Sequence, residues 1–70
     1  MPLRTKYREA IYLLGQLGAK DIKTWEDEGD FKLTATLKSE HDKKLVEEKI
    51  EELNYMKAED ISYDLRVENN

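Results

Sequence analysis

The sequence predicts an α+β fold: one two-layer domain of order α-β-β-α-β, a three-stranded mixed sheet with both helices on one face. Three patterns carry this expectation. Leu3, Tyr7, Ala10, Ile11, Leu14 and Leu17 recur at helical spacing. Phe31, Leu33, Ala35 and Leu37 alternate strictly with Lys32, Thr34, Thr36 and Lys38. Ile61, Tyr63, Leu65 and Val67 alternate in the same way with Ser62, Asp64, Arg66 and Glu68. A sheet with one apolar face and two one-sided helices packs well in one way, with both helices on that face.

The first helix is expected over about 3–17, with Pro2 at its start and Gly18 in the left-handed position that stops it. Gly15 costs about 1 kcal/mol relative to Ala inside a helix and suggests a close backbone approach. A strand follows over about 20–26, and Asp27-Glu28-Gly29-Asp30 reads as the hairpin turn into a second strand over about 31–38. The favoured register pairs Thr24 with Leu33 and Ile22 with Ala35, which buries Ile22 and exposes Trp25. The alternative pairs Trp25 with Phe31 and drives Lys23 and Asp21 toward the core, where unpaired charges are costly. Ser39 caps a second helix over about 40–53, whose stripe is Leu45, Val46, Ile50 and Leu53 and whose terminator is Asn54. Tyr55 and Met56 are expected to close over the core. The last strand occupies about 61–67, and Glu68-Asn69-Asn70 should fray. Strand order stays open at this stage.

Seventy residues give one domain, 1–70, and a modest core. There is no cysteine, which closes off disulfides and thiolate metal sites. No stretch is apolar enough to span a membrane and the start lacks a signal-peptide run. The expected compartment is therefore cytoplasmic, or periplasmic if a leader has been removed. Charged residues make up 40% of the chain and the formal net charge is −4, the wrong sign for a general phosphate-backbone binder. The start is basic, with Arg4, Lys6 and Arg8, and the end is weighted acidic.

The stretch Leu14-Gly15-Gln16-Leu17-Gly18-Ala19-Lys20-Asp21, then Asp30-Phe31-Lys32-Leu33-Thr34-Ala35-Thr36-Leu37, resembles the BON domain. The helix from Ser39 to Leu53 and the closing Ile61-Ser62-Tyr63-Asp64-Leu65-Arg66-Val67 complete the resemblance. It is most similar to the small form found with LysM modules in bacterial peptidoglycan-binding and stress proteins. Ala35 stands where the family usually has glycine, and Asn54-Tyr55-Met56-Lys57 replaces its usual Gly-Val. No LysM module follows within these residues, so peptidoglycan binding is not implied. The resemblance implies a non-catalytic module, without a cofactor, for contact with a protein, a lipid surface or an envelope component, or for a small ion of the potassium type.

The residues themselves offer little for catalysis. His41, the one histidine, sits at a helix start with no nucleophile beside it, and no phosphate loop or nucleophile elbow is present. Asp27, Glu28 and Asp30 lack the ligand series of a calcium loop, so no metal site is expected. The second helix places Lys43 and Lys44 near its start and Glu51 and Glu52 in its last turn, against the macrodipole. Pairs from Lys43 to Glu47 and from Lys44 to Glu48 would compensate in part. Glu48, Glu51 and Glu52 form an acidic patch, a solvated face or a surface for a basic partner such as the Arg4-Lys6-Arg8 end of another copy. The leading candidate site is the uncovered sheet face, with Trp25, Lys23, Lys32, Thr34, Thr36 and Arg66. Its expected partner is a protein or an envelope or lipid surface, or a second copy. Nucleic acid is disfavoured by the acidic total and the lack of paired aromatics.

Overall fold

The computed structural model describes residues 3–68. Its elements are α1 (Leu3–Lys6), α2 (Arg8–Gln16), β1 (Lys20–Asp27), β2 (Asp30–Leu37), α3 (Glu40–Leu53) and β3 (Ile61–Val67). Pro2, Asn69 and Asn70, which carried expectations about the helix start and the frayed end, lie outside the described residues. Glu68 does not fray: its N–H donates to the Leu37 carbonyl and its carboxylate pairs with Lys20.

β2 is the middle strand, antiparallel to β1 and parallel to β3, so the sheet is mixed. Its alternation sends Phe31, Leu33, Ala35 and Leu37 to the inner face, and all four are buried. Tyr7, Ala10 and Leu14 close over them from the first helical segments, with Val46 and Ile50 from α3 and Leu65 from β3. Both helical segments thus cover one sheet face and leave the other open. Ser39 caps α3 as expected, its Oγ accepting from the Asp42 N–H at 3.2 Å.

The expected first helix is broken at Tyr7, whose backbone leaves the helical region at φ −102°, ψ 16°. The side chain has a reason to set the break there. Its ring is buried and stacks on Phe31 at 5.7 Å between centroids, while its hydroxyl donates to Asp60 Oδ1 at 2.5 Å. Lys6 Nζ reaches the other carboxylate oxygen at 2.6 Å, and the Asp60 carbonyl accepts from the Phe31 N–H at 2.7 Å. One residue before β3 therefore ties α1, α2 and β2 together. Burial opposes the Asp60 charge, but the hydrogen bonds from Lys6 and Tyr7 outweigh it and hold the carboxyl below its ordinary range.

Three expectations are corrected. Ile22 is not buried but 37% exposed. The Thr24–Leu33 pairing holds, yet Lys20 pairs with Thr36 and Lys23 with Thr34, so β1 gains one residue between them. Asp21, at φ +54°, sits in this irregularity directly before Ile22. Tyr55 and Met56 do not close over the core; they are 79% and 74% exposed. The Asn54 side chain clamps the turn after α3 at both the N–H and the carbonyl of Ala58, and the two side chains are carried outward. Gly15 makes no close approach, since a Cβ there would meet nothing within 4 Å.

The two helix glycines therefore predict opposite results. Gly18 sits at φ +73° after α2, where an added Cβ is strained and would also press Lys38. Gly18→Ala should lower stability by at least about 1 kcal/mol, whereas Gly15→Ala should raise it by about 0.4–1 kcal/mol through the unfolded state. Urea midpoints moving in the same direction for both variants would contradict this assignment.

Candidate binding face

The open face is built by the even phase of β2 and the residues paired with it. Thr34 lies between Lys23 of β1 and Asp64 of β3, and Lys32 between Trp25 and Ser62. Thr36 lies between Lys20 and Arg66. All six residues expected to form the site, Trp25, Lys23, Lys32, Thr34, Thr36 and Arg66, share this face. Lys23, Trp25 and Arg66 are exposed, whereas Lys32, Thr34 and Thr36 are half-buried because flanking strands shield the middle one. Trp25 is 46% exposed, as the favoured register requires.

Over the two threonines runs a shallow groove of about 280 Å³. Its floor is Thr34 and Thr36; Asp21 and Lys23 form one wall, Asp64 and Arg66 the other. Both ends are closed by ion pairs. Lys20 reaches Glu68 at 3.1 Å across the sheet at one end. At the other, Asp30 accepts from Ser62 Oγ at 2.8 Å and from Lys32 at 3.1 Å. These bonds hold the Asp30 carboxyl below its ordinary range, the Ser62 bond contributing most. Arg66 pairs with Asp64 at 3.4 Å on the groove wall. Trp25 stands beside the Asp30 end, opposite Lys32. The result is a trough with a hydroxyl floor, walls of both signs and an aromatic at one corner.

Sequence reasoning missed Asp21, Lys20, Glu68 and Ser62 as parts of this face. The period-two alternation of β3 was sufficient to place Ser62 and Glu68. Asp21 shares the parity of Lys23 and Trp25, so the favoured register already turned it to this face. Lys20 comes opposite Thr36 only through the bulge, for which the sequence carries no recognisable signal.

The other charged candidates are placed elsewhere. His41 is exposed in the first turn of α3, in the helix layer on the opposite side of the sheet. Glu28 and Gly29 occupy the hairpin turn at φ +49° and +80°, the backbone of a tight two-residue connection. Glu48, Glu51 and Glu52 are exposed on α3, where the ion pair among the described residues is Lys49–Glu52, not the expected Lys43–Glu47 and Lys44–Glu48 pairs. Arg4 and Lys6 do not form a free basic end. Arg4 donates to Thr24 and Glu26, and Lys6 is held by Asp60 and Asn54. A second hollow of about 410 Å³ opens between the end of α3 and β3, lined by Ile50, Glu51, Tyr55, Lys57, Ile61 and Tyr63. Tyr63, although on the inner face, is 39% exposed there. Burial, then the charges of Glu47 and Glu51, push its hydroxyl up from its ordinary value.

No family model, curated protein or solved structure matches this chain. Its class is that of a small α+β domain with one covered and one open sheet face, and among the described residues no helix is long and apolar enough to cross a membrane.

Proposed function

We propose that the chain is a non-catalytic interaction module, BON-like in its pattern, that docks an extended protein segment on its open sheet face. The observation that carries this reading is Trp25, nearly half exposed, which with Lys32 and Ser62 lines a hollow adjoining the groove at Thr34 and Asp64. Exposed tryptophan is costly to leave in water and is enriched where binding energy concentrates. The groove offers hydroxyls, carboxylates and cations in alternation, which suits a polypeptide with side chains of both signs. Lys20, Lys32 and Arg66 each already face a carboxylate, so the face lacks the uncompensated positive field that a nucleic-acid backbone or an anionic bilayer would need. Most of its charged groups are held in ion pairs. The Asp30 carboxylate that accepts from the Ser62 hydroxyl is also held by Lys32 and kept below its ordinary range, a poor base for activating that hydroxyl.

A photo-crosslinking residue introduced at Lys23, which leaves Trp25 in place, with one at Tyr12 on the helix layer as control, tests the reading in cells. The Lys23 position should give discrete protein adducts that excess wild-type chain competes away and Trp25→Ala chain does not. Identical adducts from both positions, or equal competition by both chains, would contradict it.

A further inference from the structure

We propose that β3 pairs antiparallel with β3 of a second copy of this chain, in the register centred on Leu65. This concerns the sheet edge; it shares Asp64 and Arg66 with the groove wall but does not involve Trp25. The two edges of the sheet are treated differently. β1 carries the Asp21 bulge and turns polar Thr24 and Glu26 inward beneath Arg4, devices that blunt an edge against pairing. β3 runs without a break from Ile61 to Val67 and holds neither a bulge nor a proline. Among the described residues only β2 pairs with it.

The phase of its backbone follows from two bonds. The Asp60 carbonyl accepts from Phe31, and the Glu68 N–H donates to Leu37. Even-numbered residues of this strand therefore turn their backbone groups to β2, and Ile61, Tyr63, Leu65 and Val67 turn theirs to the free edge. An antiparallel partner of the same sequence must match odd residues with odd ones, which leaves few registers. Centring on Asp64 sets two carboxylates opposite each other, and centring on Arg66 sets two guanidinium groups opposite each other. Centring on Tyr63 leaves Asp64 facing Ser62 and sends Arg66 toward Asp60, already bound by Lys6 and Tyr7. Centring on Leu65 places Asp64 opposite Arg66 of the second copy, and Arg66 opposite its Asp64. These are positions of the closer, non-hydrogen-bonded kind, with Cα atoms about 4.5 Å apart.

The same register sets Tyr63 beside Val67 of the second copy on the inner face, covering a tyrosine that one copy leaves 39% exposed. About six main-chain hydrogen bonds would form, from Tyr63, Leu65 and Val67 of each copy. The helices agree with this two-fold. α3 begins beyond Leu37, which is level with Val67, and returns toward Ile61. Lys43 and Lys44 are thus level with the Glu51 and Glu52 end of the second α3, while the first turn itself carries Glu40 and Asp42.

Sedimentation equilibrium up to about 1 mM tests the pairing, with folding of every variant checked by circular dichroism. The wild-type chain should approach twice the monomer mass. Asp64→Arg alone and Arg66→Asp alone should each remain monomeric. An equimolar mixture of the two single variants should recover the dimer, as should the double variant D64R/R66D. Amide exchange should slow with concentration at Tyr63, Leu65 and Val67 and not at Ser62 or Asp64. A monomeric wild-type chain, a dimer indifferent to both single reversals, or a mixture that stays monomeric beside a dimeric wild type would each overturn the proposal. An edge reserved for another protein's extended segment would give the first of these results. None of these outcomes alters the Trp25 competition, so the two readings fail separately.

Discussion

Leu33→Ala is expected to lower the unfolding free energy by about 2–5 kcal/mol, much of what a domain of this size possesses. Leu33 is 1% exposed at the middle of the middle strand, paired with Thr24 on one side and Tyr63 on the other. Phe31 and Ala35 flank it on the inner face and α2 and α3 close over that face, so collapse around the lost side chain is restricted. Urea unfolding followed by circular dichroism should show a much lower midpoint. A loss below about 1 kcal/mol would mean that the site collapses freely and that β2 is not the centre of the core.

The second large effect is expected at Asp60. Removing its carboxylate strands the Tyr7 hydroxyl and the Lys6 ammonium together, both part-buried. Loss of one member of a buried pair costs about 3–5 kcal/mol, and because Lys6 can partly rehydrate, Asp60→Ala should cost about 2–3 kcal/mol. The pH dependence has two arms. The folded Asp60 pKa is lowered, so its contribution is present above the ordinary value of 3.8 and is lost as pH falls through the lower folded value. Burial first, then the hydrogen bond and charge of Asp60, push the Tyr7 hydroxyl well above its ordinary 10.0. That contribution is complete below pH 10.0 and is lost as pH rises toward the folded value. Tyr7→Phe should remove most of the alkaline arm, leaving the smaller share of Tyr63, whose hydroxyl is also raised, and should leave the Lys6 share of the acidic one. An alkaline arm unchanged in that variant would assign it to another group.

Local patterns carried most of the fold because they report local physics. The strict alternation of Phe31 through Lys38 fixed both strand and face. Ser39 announced its helix because a hydroxyl there satisfies an orphan N–H, and Gly18 announced a stop because few other residues tolerate its backbone. What was not legible depended on distant partners. Nothing near Asp60 in sequence says that Lys6 and Tyr7 will meet it, since that meeting requires β3 to lie parallel beside β2. The bulge at Asp21 shifts a single residue, yet Ile22 beside it is left 37% exposed and Lys20 is brought opposite Thr36 on the open face. Tyr55 and Met56 looked like core because they are apolar, but the Asn54 clamp on Ala58 decides where they point. The open face was legible as a set of residues from parity alone; its closure by Lys20–Glu68 and Asp30–Ser62 was not, because those bonds cross strands.

Trp25 is the one tryptophan, so its fluorescence reports the open face without interference from another indole. In dilute solution its emission should be red-shifted and readily quenched by acrylamide, and Trp25→Ala should unfold at nearly the wild-type urea concentration. Blue-shifted emission protected from the quencher, together with a destabilised Trp25→Ala, would place the ring in the core and contradict an open binding face.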